Sequence, residues 1–183
     1  MFSPLIDDLQ DRRIRFVQAC RDDVLGTAGA NAYAQEVFRI MQHHFKEIVP
    51  SPTGWFLAAV GGLGRGEMSF VSDVDLVFIY AKHLPASLHG LVHSLIQAMW
   101  DGGIEPGHSV ASVTGSKQLI KDDFSAQTTC LETKCIFGDR SLYERWRKEL
   151  LTQQTSRQLK HFLGMLDTAR EKRGEQLAKS IYL

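Results

Sequence analysis

The sequence predicts an α+β fold, a small sheet with helices packed on it and helical flanks on either side, and three stretches carry that expectation. Trp55 to Val60 is a short, almost wholly apolar run ending in Gly61-Gly62, the pattern of a buried strand that enters a glycine-rich loop. Val74 to Tyr80 carries Val, Ile, Phe and Tyr and reads as a second strand. Leu88, Leu91, Val92, Leu95, Ile96 and Met99 follow the i, i+3, i+4 spacing without a break, which predicts a helix with one face on the sheet.

The remaining elements fall around these three. Leu5, Leu9, Val17 and Cys20, set among Asp and Arg, predict an amphipathic helix from Leu5 to about Val24. A second helix is expected from Asn31 to Val49, where Tyr33, Val37, Met41 and Ile48 recur near helical spacing and Pro50 supplies the stop. Ser51-Pro52-Thr53-Gly54 reads as a turn. After the Gly102-Gly103 break, Ile104 to Val113 is expected to give a third strand, and Ser125 to Phe137 a helix closed by Gly138. From Ser141 onward, Leu142, Trp146 and Leu150, then Leu159, Phe162, Leu163, Leu166 and Leu177, describe two further helices. The division that follows is a helical segment over 1–50, a core over 51–139 and a helical extension over 140–183.

A chain of 183 residues suffices for one well-buried core with such an extension. Its 21 basic and 21 acidic residues cancel, so no net field draws the whole surface toward nucleic acid or anionic membrane. Cys20, Cys130 and Cys135 are odd in number and lack CxxC spacing, and no cleavable apolar leader opens the chain, which fits a reducing cytoplasm. Cys130 and Cys135 fall in the segment expected to be helical and read as small core residues rather than metal ligands. No apolar run approaches the ~20 residues needed to cross a bilayer.

The chemistry is concentrated in Ala59-Val60-Gly61-Gly62-Leu63-Gly64-Arg65-Gly66-Glu67-Met68 and, just after it, Ser72-Asp73-Val74-Asp75-Leu76. Alternation along a strand sends Asp73 and Asp75 to one face, where both can reach one ion or an adjacent pair. Mg²⁺ favours such oxygen ligands and is commonly shared between carboxylates and substrate phosphates. Side-chain-free glycines let backbone N–H groups approach phosphate oxygens, and Arg65 supplies a fixed cation to offset their charge. Two neighbouring carboxylates are costly to keep ionised without a cation between them, so Asp-Val-Asp on an otherwise apolar strand marks a site. Either motif alone is commonplace, as a solvated strand end or an ordinary turn; the order and spacing of the two together carry the argument.

The run GGLGRGE followed by SDVDL resembles the signature of the DNA polymerase β-type nucleotidyltransferase superfamily, in the form found in bacterial protein-PII uridylyltransferases. Met99-Trp100-Asp101 leading to Gly107-His108-Ser109-Val110 is similar to the same family, as are Leu131-Glu132-Thr133 and Gly138-Asp139. The likeness covers about Trp55 to Asp139 and continues more weakly beyond; Arg170 to Leu183 looks like the lead into the rest of a longer enzyme. It implies a mixed sheet of the nucleotidyltransferase (DNA polymerase β-like) type and magnesium-dependent transfer of UMP from UTP to a tyrosine on a PII signalling protein in the bacterial cytoplasm. By position, Gly61, Gly62, Arg65 and Gly66 would hold the triphosphate, and Asp73 and Asp75 would bind Mg²⁺. Ser72 would touch phosphate or cap its turn.

The pattern departs from the family where Ala111-Ser112 replace the usual Arg-Thr after Gly-His-Ser-Val. A third metal-binding carboxylate is common in the superfamily, and Glu105, beside Pro106, is the acidic candidate on the third strand. Glu67 to Phe78 is also similar to protein adenylyltransferases that use ATP, although the arginine-rich strand of those enzymes is absent here. A second alternative is a non-catalytic nucleotide-sensing or protein-docking module.

Other residues read as candidate ligands or catalysts. His89 and His93 stand one helical turn apart, a spacing that can chelate a metal but also suits a solvated helix face, and His43-His44 adds to the count. His108 falls near the site as a possible base or as a histidine held by backbone partners. Glu67 is expected to orient Arg65 or cap the next turn. Lys117, Lys121 and Lys134 read as surface lysines within reach of a nucleotide cleft.

Overall fold

The computed structural model describes residues 1–22, 25–50, 52–122 and 132–152, with the short pieces 163–164, 167–168 and 171. Its sheet is built around β1 (Trp55–Ala59), which is buried at every position. A run apolar on both faces requires cover on both, and the neighbouring elements provide it. β2 (Val74–Tyr80) pairs antiparallel with one edge of β1, placing Trp55 opposite Tyr80 and Ala59 opposite Leu76. β4 (Lys134–Gly138) pairs antiparallel with the other edge. β3 (Pro106–Ser112) lies parallel to β2, Asp75 opposite Gly107, giving a mixed four-stranded sheet of order β3-β2-β1-β4. A parallel pair needs a long crossover, and α4 (Ala86–Asp101), the helix legible from its i, i+3, i+4 stripe, supplies it.

Side-chain alternation sorts the strands between two cores. Trp55, Leu57, Ala59, Leu76, Phe78 and Ile136 face one, which they share with α1 (Ser3–Asp22), α2 (Gly26–Ile48) and α4. Phe56, Ala58, Val77, Ile79 and Cys135 face the other, closed by Leu142, Tyr143 and Trp146 of α6 (Arg140–Thr152) and by Val113 and Ile120 of α5 (Val113–Asp122). The N-terminal helices are thus continuous with the main core, and polar contacts fix their angle. Buried His44 of α2 meets Asp8 of α1 at 2.7 Å, and Gln10 donates to the Gly102 carbonyl at the end of α4 at 2.7 Å. His44 therefore ties two helices together rather than joining a metal site.

The strands expected over Trp55–Val60, Val74–Tyr80 and Ile104–Val113 all form, as do helices at the expected places before and between them. One expectation is overturned. Residues 134–138 are strand β4, not the end of a helix running from Ser125; positions 125–131 and Cys130 lie outside the described residues. Cys135 and Ile136 point into opposite cores, so the segment is apolar on both faces, as an added strand requires. Gly138, expected as a helix cap, instead ends the strand at φ 112, where a Cβ would crowd the Phe56 Cα at 2.5 Å. The glycine loop also differs from expectation, since Gly61–Arg65 winds into a single helical turn, α3. Of the two helices expected after Ser141, α6 forms and the second lies mostly outside the described residues. Among the described residues no helix is long and apolar enough to cross a membrane.

Asp139 caps α6: its Oδ1 accepts the Leu142 N–H at 2.9 Å and the Ser141 hydroxyl at 2.8 Å. Those bonds, the Leu142 bond foremost, hold its carboxyl below the ordinary 3.8. A depressed carboxyl contributes stability that is complete above its unfolded pKa and is lost as pH falls through the folded value. Asp139→Ala should cost about 1 kcal/mol near neutral pH, and urea unfolding should show the difference from wild type closing as pH drops below 3.8.

Candidate active site

The site forms where β1 runs into α3 and where β2 and β3 begin side by side. Asp75, the second residue of β2, is partly buried, and its carboxylate lies between two positions that carry no side chain. A Cβ at Gly61 would strike its Oδ2, and a Cβ at Gly107 would strike its Oδ1. Gly61 also sits at φ 57, a left-handed conformation that side chains resist, whereas Gly107 has no such need and is glycine for space alone. Burial, and then the neighbouring Asp73 carboxylate, push the Asp75 carboxyl above its ordinary range, while Arg65 pulls it back. Asp73 stands exposed immediately before the strand. A pair of close carboxylates, one of them partly desolvated, is a donor set that suits a hard divalent cation, so the residues present fit Mg²⁺.

The glycine turn is fastened to its surroundings by main-chain bonds. Val60 N–H donates to the Asp75 carbonyl at 3.0 Å, Gly64 N–H to Val60 at 3.0 Å, and Glu67 N–H to Gly62 at 2.8 Å. Gly66 closes the turn at φ 80. Met68 N–H donates to Ala30 at 3.3 Å, which anchors the exit of the turn on α2. Arg65, half-exposed, is met by Glu132 with Nη1 to Oε2 at 2.6 Å. Glu132 arrives from the chain just before β4, and its carbonyl packs so closely on Gly64 that a Cβ there would collide with it.

Gly61, Gly62, Arg65, Gly66, Asp73 and Asp75 are therefore gathered at one end of the sheet. Ser72 is engaged within its own turn, its Oγ accepting the Ser69 N–H at 2.9 Å. Glu105 remains just ahead of β3, where its carbonyl accepts the Val74 N–H at 2.9 Å. No three His, Cys, Asp or Glu side chains gather as a metal-holding group among the described residues, so Glu105 and the aspartate pair do not form a three-carboxylate group in this arrangement. His108 pairs in register with Leu76 and turns to the opposite face, into a groove of ≈ 350 Å³ with His93, Gln97 and Trp100 of α4, away from Asp75. His89 and His93 are exposed on α4. Lys117 pairs with Glu149 of α6, and Lys134 lies 4.2 Å from the Phe38 ring centre; the Lys121 side chain lies outside the described ones.

Two neighbours of the site escaped the sequence reading. Gly107 stands out in the sequence only within a family pattern, and the sequence points to Glu67 rather than Glu132 as the partner of Arg65. The signal for Glu132 exists only once residues 134–138 are known to be a strand: Lys134 pairs with Ala59, so the residue two earlier lies beside the loop that follows β1. Gly107→Ala should leave the melting temperature near that of wild type, because the new methyl meets only the movable end of Asp75. It should weaken Mg²⁺-dependent ligand binding by about tenfold or more by displacing that carboxylate. Gly61→Ala should add about 1 kcal/mol of backbone strain to the same loss; melts and calorimetric titration separate the two.

Comparison with known proteins finds a set of relatives by sequence. No family profile matches the chain. The bifunctional uridylyltransferase/uridylyl-removing enzyme of Bordetella parapertussis is 37% identical over 134 residues, 72% of this chain and 15% of that protein. The enzyme of the same name from a Bradyrhizobium species is 31% identical over 154 residues, 81% of this chain and 16% of that protein. A solved MntA–HpeT toxin–antitoxin structure aligns over 77% of this chain and 98% of that one at 11% identity and a TM-score of 0.39, too loose a likeness to carry residues or ligands across. The chain spans about 15% of the length of the curated relatives it matches. Homologous to these enzymes over nearly three-quarters of its length, the chain belongs to the uridylyltransferase-like nucleotidyltransferases.

Proposed function

We propose that the domain binds a magnesium nucleoside triphosphate, UTP in preference to others, and transfers its nucleotidyl group to a hydroxyl of an acceptor protein such as a PII signalling protein. The observation that carries this reading is the Asp75 carboxylate held between Gly61 and Gly107, beside Asp73 and within the field of Arg65. Asp73 and Asp75 would hold the cation, which when bound supplies positive charge to offset that of the triphosphate and the departing pyrophosphate. The turn Gly61–Arg65 presents backbone free of side chains to the phosphates, and Arg65 adds a cation at its end. In the transfer itself the acceptor hydroxyl gives its proton to solvent as its oxygen bonds to the α-phosphorus, the bond from that phosphorus to the α–β bridging oxygen breaks, and pyrophosphate leaves with the bonding pair. The chain's share is positioning and electrostatics, with no covalent nucleophile required. Uridylyl transfer in the relatives' names supports UTP as the donor, and the resemblance of GGLGRGE and SDVDL to the PII uridylyltransferases supports a protein acceptor.

A binding-only module is the rival reading. Its support is Ala111-Ser112 in place of a cation-bearing pair, together with the lack of a three-carboxylate group among the described residues. Calorimetric titration of UTP, ATP, CTP and GTP with and without Mg²⁺ tests the proposal on wild type and on an Asp73→Asn/Asp75→Asn variant. Expected is magnesium-dependent binding that favours UTP and drops by at least about a hundredfold in the variant, whose melting temperature stays at or above that of wild type. Equal affinity in the variant would refute the aspartate assignment; a preference for ATP would redirect the reading to adenylyl transfer. Binding with no pyrophosphate release in the presence of PII protein would favour the sensing module.

A further inference from the structure

We infer that Glu132 is a positioning residue for Arg65, holding the guanidinium at the end of the glycine turn in the orientation that meets a triphosphate. This rests on the reading of that turn as a phosphate site. An exposed ion pair is ordinarily weak and loosely placed, but three features distinguish this one. Its partners are 67 residues apart, so the contact belongs to the fold rather than to one helix face. The Nη1–Oε2 distance is 2.6 Å, short for a charge-assisted bond. The main chain carrying Glu132 is seated directly on Gly64, where any Cβ would meet the Glu132 carbonyl and lie 3.0 Å from the Ala59 carbonyl, so the spacing between the two side chains is fixed by backbone contact.

A guanidinium presents five donors in a rigid fork. Glu132 takes one of them at Nη1, which restrains the group while leaving it donors to offer a phosphate. Without Glu132 the side chain would regain rotamer freedom, and binding an anion would have to offset the cost of ordering it.

The test uses inorganic tripolyphosphate with Mg²⁺ as the probe, titrated calorimetrically into wild type, Glu132→Gln, Glu132→Ala, Arg65→Ala and the Arg65→Ala/Glu132→Ala double variant, each with a thermal melt. Expected is a loss of about five- to tenfold in affinity for both Glu132 variants and a larger loss for Arg65→Ala. The double variant should be no weaker than Arg65→Ala alone, because Glu132 acts only through Arg65. The isosteric Glu132→Gln keeps the test meaningful if the alanine variant unfolds. Unchanged or tighter binding in Glu132→Gln would overturn the inference, the latter by showing that Glu132 competes with phosphate for Arg65. An equal loss in the Arg65→Ala background, or no tripolyphosphate binding by wild type, would also overturn it. Coupled tripolyphosphate binding without nucleotide turnover would sink the transfer reading and leave the role of Glu132 standing; turnover without coupling would do the reverse.

Discussion

The site depends on a steric fact: the Asp75 carboxylate keeps its place because the residues on either side of it have no side chains. Gly61 flanks one oxygen and Gly107 the other, and these two glycines come from different connections of the fold. Gly61 opens the turn after β1, while Gly107 reaches Asp75 only through the parallel pairing of β2 with β3. That pairing exists because α4 carries the chain back across the sheet, and α4 is held there by the apolar stripe from Leu88 to Met99. An exposed polar end of the sheet is thus specified by apolar contacts on a different face of the molecule.

The two cores have complementary effects on this end. The larger one, lined by α1, α2 and α4, fixes the plane and register of the strands. The smaller one, closed by Trp146 and Tyr143 against Phe56, lies on the face toward which Asp75 also points. Trp146 donates from its indole N–H to the Ser116 hydroxyl at 2.9 Å, linking α6 to α5 within that core. Asp75 accordingly sits at the rim of an apolar layer, where burial raises its pKa and makes a neighbouring cation worth more than it would be in water. Charge at this rim is balanced in a chain: Asp73 beside Asp75, Arg65 against Asp75, and Glu132 against Arg65.

Much of this was legible in the sequence. β2 falls on the expected residues, Val74 to Tyr80, because its apolar run is bounded by charged and polar neighbours. α4 was equally clear from its unbroken stripe. The Asp73–Asp75 pair and the glycine turn stood out because charge and glycine interrupt otherwise apolar strands. β4 was missed because it is five residues long and follows Thr-Thr-Cys-Leu-Glu-Thr, a stretch whose composition separates helix from strand poorly. Its identity is decided by pairing with β1, a contact across 75 to 82 residues of sequence in which no local pattern takes part. Missing β4 concealed Glu132 as well, since only the strand brings that residue to the glycine turn. His108 was misplaced for a related reason: nearness in sequence to the site says nothing about which face of β3 a side chain takes, and the register with Leu76 sends it toward α4.

The central claim, that Asp73 and Asp75 hold a metal which fixes a triphosphate on the glycine turn, is tested most directly by diffraction from crystals grown with Mn²⁺ and a non-hydrolysable UTP analogue. Anomalous scattering locates the metal independently of the nucleotide. The account predicts a peak within coordination distance of carboxylate oxygens of both Asp73 and Asp75, with phosphate oxygens along Gly61 to Arg65. A metal bound elsewhere, or a nucleotide seated in the α4 groove with Trp100 and His108, would contradict it.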